Sequence, residues 1–254
     1  MEIRFETGFG DYEIRFADGW KDLSRRQATE WLAHVLMSGP ELTPYIISRL
    51  LALPAEVRVN IEPEQWQAMA ERLAWLKDVD AIDSWKADCV TLTSGAEWWV
   101  GSRPDFSDMT YLEWVYADTL AVKRMWRELA ACLCRPLGGR LERERFTLEG
   151  MERRHDRLQK DWKVRIAEEC YAVCCNFVLL RKRFVSRWPR LFSGEVVVEG
   201  ETVYDAQRGD KARPADWLKL LRLLLGANFY EEQKALELPV AAVLERMNAV
   251  VANQ

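Results

Sequence analysis

Glu152-Arg153-Arg154-His155 sets a carboxylate and an imidazole three residues apart, which on a helix places both on one face, as in di-iron carboxylate bundles. That chemistry needs a second Glu-x-x-His, and the only other histidine, His34, follows Trp31 by three residues. A solvated charged face is the simpler reading. Cysteine is the better metal candidate: Cys132-x-Cys134 ends one expected helix, and Cys170, Cys174 and Cys175 lie on another that could pack against it. Four facing thiolates could hold zinc, but structural zinc usually takes Cys-x-x-Cys pairs from turns. These cysteines interrupt apolar stripes, so they are expected to be reduced, buried thiols packing as small hydrophobes, with no metal and no cofactor. Ser, Thr and Cys lack a His with an orienting acid in any recognisable local motif, and Gly138-Gly139 lacks the Lys-Ser/Thr ending of a phosphate loop. The sequence predicts no catalytic residue and no turnover.

One cluster remains. Arg181-Lys182-Arg183 stands beside Phe184, Arg187 and Trp188, giving charge interleaved with aromatics as single-stranded nucleic acid would require. Those aromatics continue a core stripe, so the bland reading is the polar face of a long helix. Arg181, Lys182, Arg183 and Arg187 are the candidate partner-binding residues on either view.

The elements that must position these groups are mostly helical. In 254 residues, 49% hydrophobic and 11% aromatic, there is ample material for a core, and the twelve tryptophans fall mainly at helical spacing among Leu, Val and Ala. The start, MEIRFETGFGDYEIRF, alternates as a hairpin and lacks the basic start and apolar run of an export signal. The longest apolar run, Cys170 to Leu180, is interrupted by Asn176 and is shorter than the roughly 20 residues a membrane span takes. A cytoplasmic protein with no membrane partner is expected. Net charge is −4, yet Arg135 to Arg190 holds fifteen Lys plus Arg against eight Asp plus Glu, where the rest holds 21 against 32. Such a split marks an anion-binding face or lets parts of one fold attract each other.

Ser24-x-x-Gln27 offers a capping box for a first helix running to Gly39-Pro40. A second helix is expected over Glu41 to Leu53 and a third from Pro63 through Leu76. DCVTLTSGAEWWVG, from Asp88 to Gly101, reads as a second hairpin and as an internal boundary, dividing residues 1–87 from 88–254, unless the domain is continuous. Thr110-x-x-Glu113 starts a central helix expected to reach Leu133, apolar on two faces, with Trp126 in one stripe. After Pro136-Leu-Gly-Gly, a long helix is expected from about Thr147 to Trp188. EVVVEGETVY is a third hairpin, 208–213 a polar loop, and two short helices, opened by Pro214 and Pro239, close the chain. The fold class is therefore mainly α: a helical bundle with a long central helix pair and small peripheral β-hairpins.

Four segments carry a resemblance. They are Gly19-Trp-Lys-Asp-Leu-Ser-Arg-Arg-Gln27; Phe106-Ser-Asp-Met-Thr110 with Glu113 and Ala117-Asp118; Ala130-Ala-Cys-Leu-Cys-Arg-Pro136, running into the helix that finishes at Trp188-Pro-Arg-Leu-Phe192; and Trp217 with its leucines. Together they resemble a family of proteins encoded in phages and prophages of Bacteroidota close to tail tape-measure genes, with Ser24 where that family has Thr and Cys134 where it has Tyr. The resemblance implies a tail-assembly chaperone or related morphogenesis factor, binding the tape-measure or another tail protein. A structural virion component of neck or baseplate is the rival expectation, and a nucleic-acid-binding module using the basic 135–190 segment is the third.

Overall fold

In the computed structural model, residues 1–7, 10–82, 89–92, 97–136, 144–192, 195–198, 201–205, 217–219, 221–222, 226 and 229–252 are described. The architecture is mainly α, with small antiparallel sheets at the margins. Strand β1 (Glu2–Thr7) pairs with β2 (Gly10–Arg15) from Glu2↔Arg15 to Thr7↔Gly10, so the alternation places Ile3 and Phe5 inward. Helix α1 (Arg25–Ser38) begins on the expected capping box, its Ser24 and Gln27 exchanging both bonds, and stops at Gly39, whose φ of 86° suits glycine. Helix α2 (Pro44–Leu50) starts later than expected, because Thr43 caps it and Pro44 takes the first turn. Two further helices, α3 (Ala55–Arg58) and α4 (Pro63–Arg72), complete this part, and a 3-10 turn over Ala74–Lys77 follows. Trp20 and Trp31 donate their indole N–H to the carbonyls of Asp78 and Leu76, at 3.0 and 3.1 Å, tying both ends of the segment together.

Strands β3 (Cys89–Leu92) and β4 (Glu97–Val100) form the second hairpin, its turn lying outside the described residues. A two-residue strand, β5 (Arg135–Pro136), adds to β4.

Both long helices expected from the sequence are broken. The central one divides into α5 (Tyr111–Val122) and α6 (Trp126–Leu133). Arg124 sits at φ 56°, Arg124 N–H donates to Ala121 O, and Met125 N–H donates to Leu120 O at 2.9 Å. These are the two bonds of a Schellman stop, made with arginine where glycine is usual. The second long helix divides into α7 (Leu148–Lys160) and α8 (Val164–Val185), because Lys163 turns extended at φ −133° and ψ 164°. Thr147 caps α7 as expected, and Gly150 is required beside it, since a Cβ there would lie 2.7 Å from the Thr147 hydroxyl.

Beyond α9 (Pro189–Phe192), β6 (Glu195–Val198) pairs with β7 (Glu201–Asp205) as the third hairpin. The 208–213 loop and Pro214 lie outside the described residues. Trp217 begins a described helical turn; α10 (Phe229–Glu237), not anticipated, and α11 (Val240–Ala252) follow. Pro239 stands just before α11 rather than within its first turn. There it bridges Thr110, while Tyr111 N–H donates to Leu238 O, so the chain's end pins the start of α5.

Buried apolar residues gather in two clusters. One holds the residues up to Ile82 and the other those from Val90 onward, except that α8 serves both. Cys170, Val173, Cys174, Phe177 and Phe184 face the second cluster; Ala172 and Cys175 face the first. Small side chains on that side of α8 let α1 approach closely.

Candidate functional site

Of the chemically capable residues, the cysteines are the most deeply placed. Cys132, Cys134, Cys170, Cys174 and Cys175 are buried and not disulfide-bonded. The Cys174 thiol donates to Trp126 O at 3.2 Å. Burial pushes the Cys170 and Cys174 thiols well up, with the neighbouring thiols adding to the shift, and pushes Cys175 up to about 12. Burial thus favours the neutral thiol over the nucleophilic thiolate at all three. Among the described residues no three His, Cys, Asp or Glu side chains form a metal-binding group. Glu152 points to solvent, whereas His155 turns toward Glu128 of α6 at 3.8 Å and Asp156 at 3.7 Å. His34 meets the Glu41 carbonyl.

The four candidate partner-binding cations do not act as one surface. Arg181 turns inward to pair with the buried carboxylate of Asp118, whose other oxygen accepts the Trp217 indole N–H at 2.9 Å. Lys182, Arg183 and Arg187 are exposed, and the Arg187 guanidinium lies 5.5 Å from the Phe184 ring centroid. Phe184 and Trp188 are buried, so aromatics do not interleave with the cations at the surface.

A second buried ion pair joins Glu113 on α5 to Arg135 on β5. Arg135 also donates to Glu144 O, and Arg154 reaches Glu144 at 3.2 Å while donating to Ala131 O at 2.8 Å. Burial, then the Arg135 charge, lowers the Arg154 pKa from its ordinary value. This network fastens α5, α6, β5 and α7.

The surface of interest is where the two helix breaks meet. Residues Arg124 to Glu128, Trp162 and Tyr171 line an open groove of about 350 Å³. The Arg127 guanidinium stacks over Trp162 at 4.1 Å, and Tyr171 meets the same indole edge-on, at 6.2 Å and 80°. Trp126 is half-buried rather than core, and Met125 is 38% exposed. The sequence contained a signal for this: Lys123-Arg124 cuts across both apolar stripes of the central helix, and Asp161 and Lys163 bracket Trp162 in the next. A second hollow, about 400 Å³ between α1 and α8, is lined by Arg26, Glu30, Arg165, Glu168 and Glu169, whose charges pair with each other or with Arg49.

Among the described residues no helix is long and apolar enough to cross a membrane. Comparison with protein families, with characterised proteins and with solved structures finds no match to this chain.

Proposed function

We propose that this chain is a phage tail morphogenesis factor, chaperone-like, that acts by binding a tape-measure or other tail protein and performs no turnover. The observation that carries the binding half is the groove at the two breaks, where half-buried Trp126, Trp162 and Tyr171 and exposed Met125 line an opening between helices. Such grooves suit the apolar face of an amphipathic helix, and methionine adapts its shape to varied partners. The four-segment resemblance supplies the tail context. The thiols held neutral and the histidines directed to a carbonyl and to carboxylates support a binding role over a chemical one.

Co-expression with the tape-measure protein of the same locus should keep that protein soluble, and the complex should survive nuclease treatment. Mass spectrometry of purified virions separates the rivals: a chaperone is absent, whereas a neck or baseplate component is present at fixed copy number. Co-purifying nucleic acid whose affinity falls steeply with salt, and is lost on neutralising Lys182, Arg183 and Arg187, would replace the protein-binding reading.

A further inference from the structure

We propose that the groove at the two helix breaks receives an acidic, amphipathic segment of a protein partner, with its carboxylates on Arg124 and Arg127 and its apolar side chains on Trp126 and Met125. This rests on the protein-binding reading above and names the chemistry of its partner.

Charge complementarity carries the argument. Arg26, Arg49, Arg135, Arg154, Arg181 and Arg222 each meet a carboxylate of this chain. Among the described residues, Arg124 and Arg127 meet none, although the chain as a whole is acidic. They stand three positions apart in one groove, whose single lining acid, Glu128, is directed to His155. Stacking on Trp162 holds the Arg127 guanidinium in place, so less side-chain entropy is lost when a carboxylate takes its N–H groups in a bidentate bond.

Arg124 is held by the Schellman stop at φ 56°, a left-handed conformation that glycine would adopt without strain. An L-residue kept there puts a cation at the groove's mouth. An opening this shallow and this polar fits a chain segment better than an enclosed small molecule. Single-stranded nucleic acid fits less well: it needs bare aromatic faces for its bases, whereas Arg127 covers a face of Trp162 and Tyr171 packs nearly perpendicular to the same ring.

The test is titration of the full chain with a synthetic amphipathic peptide of Glu, Leu and Trp, alongside its Lys-for-Glu counterpart and oligodeoxythymidine. The acidic peptide should bind, more weakly as salt rises, and lose about tenfold or more in affinity to the double variant Arg124→Gln, Arg127→Gln. Arg58→Gln, which removes an exposed guanidinium outside the groove, should bind as the parent does. Circular dichroism confirms that each variant is folded. Equal binding by the double variant, no preference for the acidic over the basic peptide, or tighter binding of the oligonucleotide through the same arginines would each overturn the assignment. Co-expression of the double variant separates the two levels: if it still solubilises the tape-measure protein, the groove assignment fails and the function stands. If peptide binding depends on the arginines and the tape-measure protein stays insoluble with the parent chain, the groove stands and the chaperone reading fails.

Discussion

Burial sets the behaviour of individual side chains here more than local motif does. Cys175 illustrates it: its thiol is pushed from 9.0 to about 12 by desolvation, so the folded chain keeps a proton that the unfolded chain gives up. The stabilisation is fully present below pH 9 and is lost as pH rises toward 12, at about 1.4 kcal/mol per pH unit for each thiol that ionises only on unfolding. Tyr111, whose phenol is pushed up from 10.0 by burial and then by the nearby Asp118 charge, acts with the same sign. Denaturant titrations at pH 8 and pH 10 should show stability falling, and Cys175→Ala should flatten the slope. Tryptophans separate in the same way. Trp114 is fully buried against Phe106, Phe177 and Phe184, with ring centroids 4.9 to 5.8 Å away, so Trp114→Ala should cost about 3–5 kcal/mol. Trp126→Ala should cost less, because its ring faces the groove; thermal melts of the two variants make the comparison.

Among the elements, starts were legible and internal stops were not. Ser24, Thr110 and Thr147 cap helices as their spacing predicts, since a side-chain oxygen three residues before an acceptor-poor turn is a local signal. The stop at Arg124 carries no glycine or proline and shows in the sequence only as Lys123-Arg124 crossing the apolar stripes, whereas the stop at Ala52, also positive in φ, comes just ahead of Pro54. Apolar periodicity ran through both breaks because the stripes bury the same face before and after. Arg124→Gly should therefore relieve strain and raise stability by about 0.5–1 kcal/mol, net of glycine's own entropy cost, while weakening acidic-peptide binding. No gain in melting temperature would mean the stop is held by more than its backbone. The buried tie between α5 and β5 was equally illegible, because Glu113 reads as the acid of a capping box and Arg135 as part of a basic run. Arg135→Met alone should cost about 3–5 kcal/mol by stranding the Glu113 charge, and adding Glu113→Leu should recover most of that in a double-mutant cycle.

At the scale of the whole molecule, one apolar cluster gathers the buried residues up to Ile82 and another those from Val90 onward. What joins them is α8, which presents Ala172 and Cys175 to one cluster and Cys170, Val173 and Phe177 to the other. Arg49 on α2 adds a charged link to Glu168 at its N-terminal end. Unfolding should accordingly be one transition, with circular dichroism and tryptophan fluorescence coinciding. A fragment of residues 1–82 should lack stable helix when made alone; full native helicity in that fragment would show that its core closes without α8. The same helix has a consequence for synthesis. The first eighty or so residues leave the ribosome about a hundred residues before their last core wall is complete, which at about 5–20 residues per second leaves Trp31, Leu32 and Ile46 uncovered for roughly 5–20 s. During that interval the nascent chain is itself a client for the cell's holding factors.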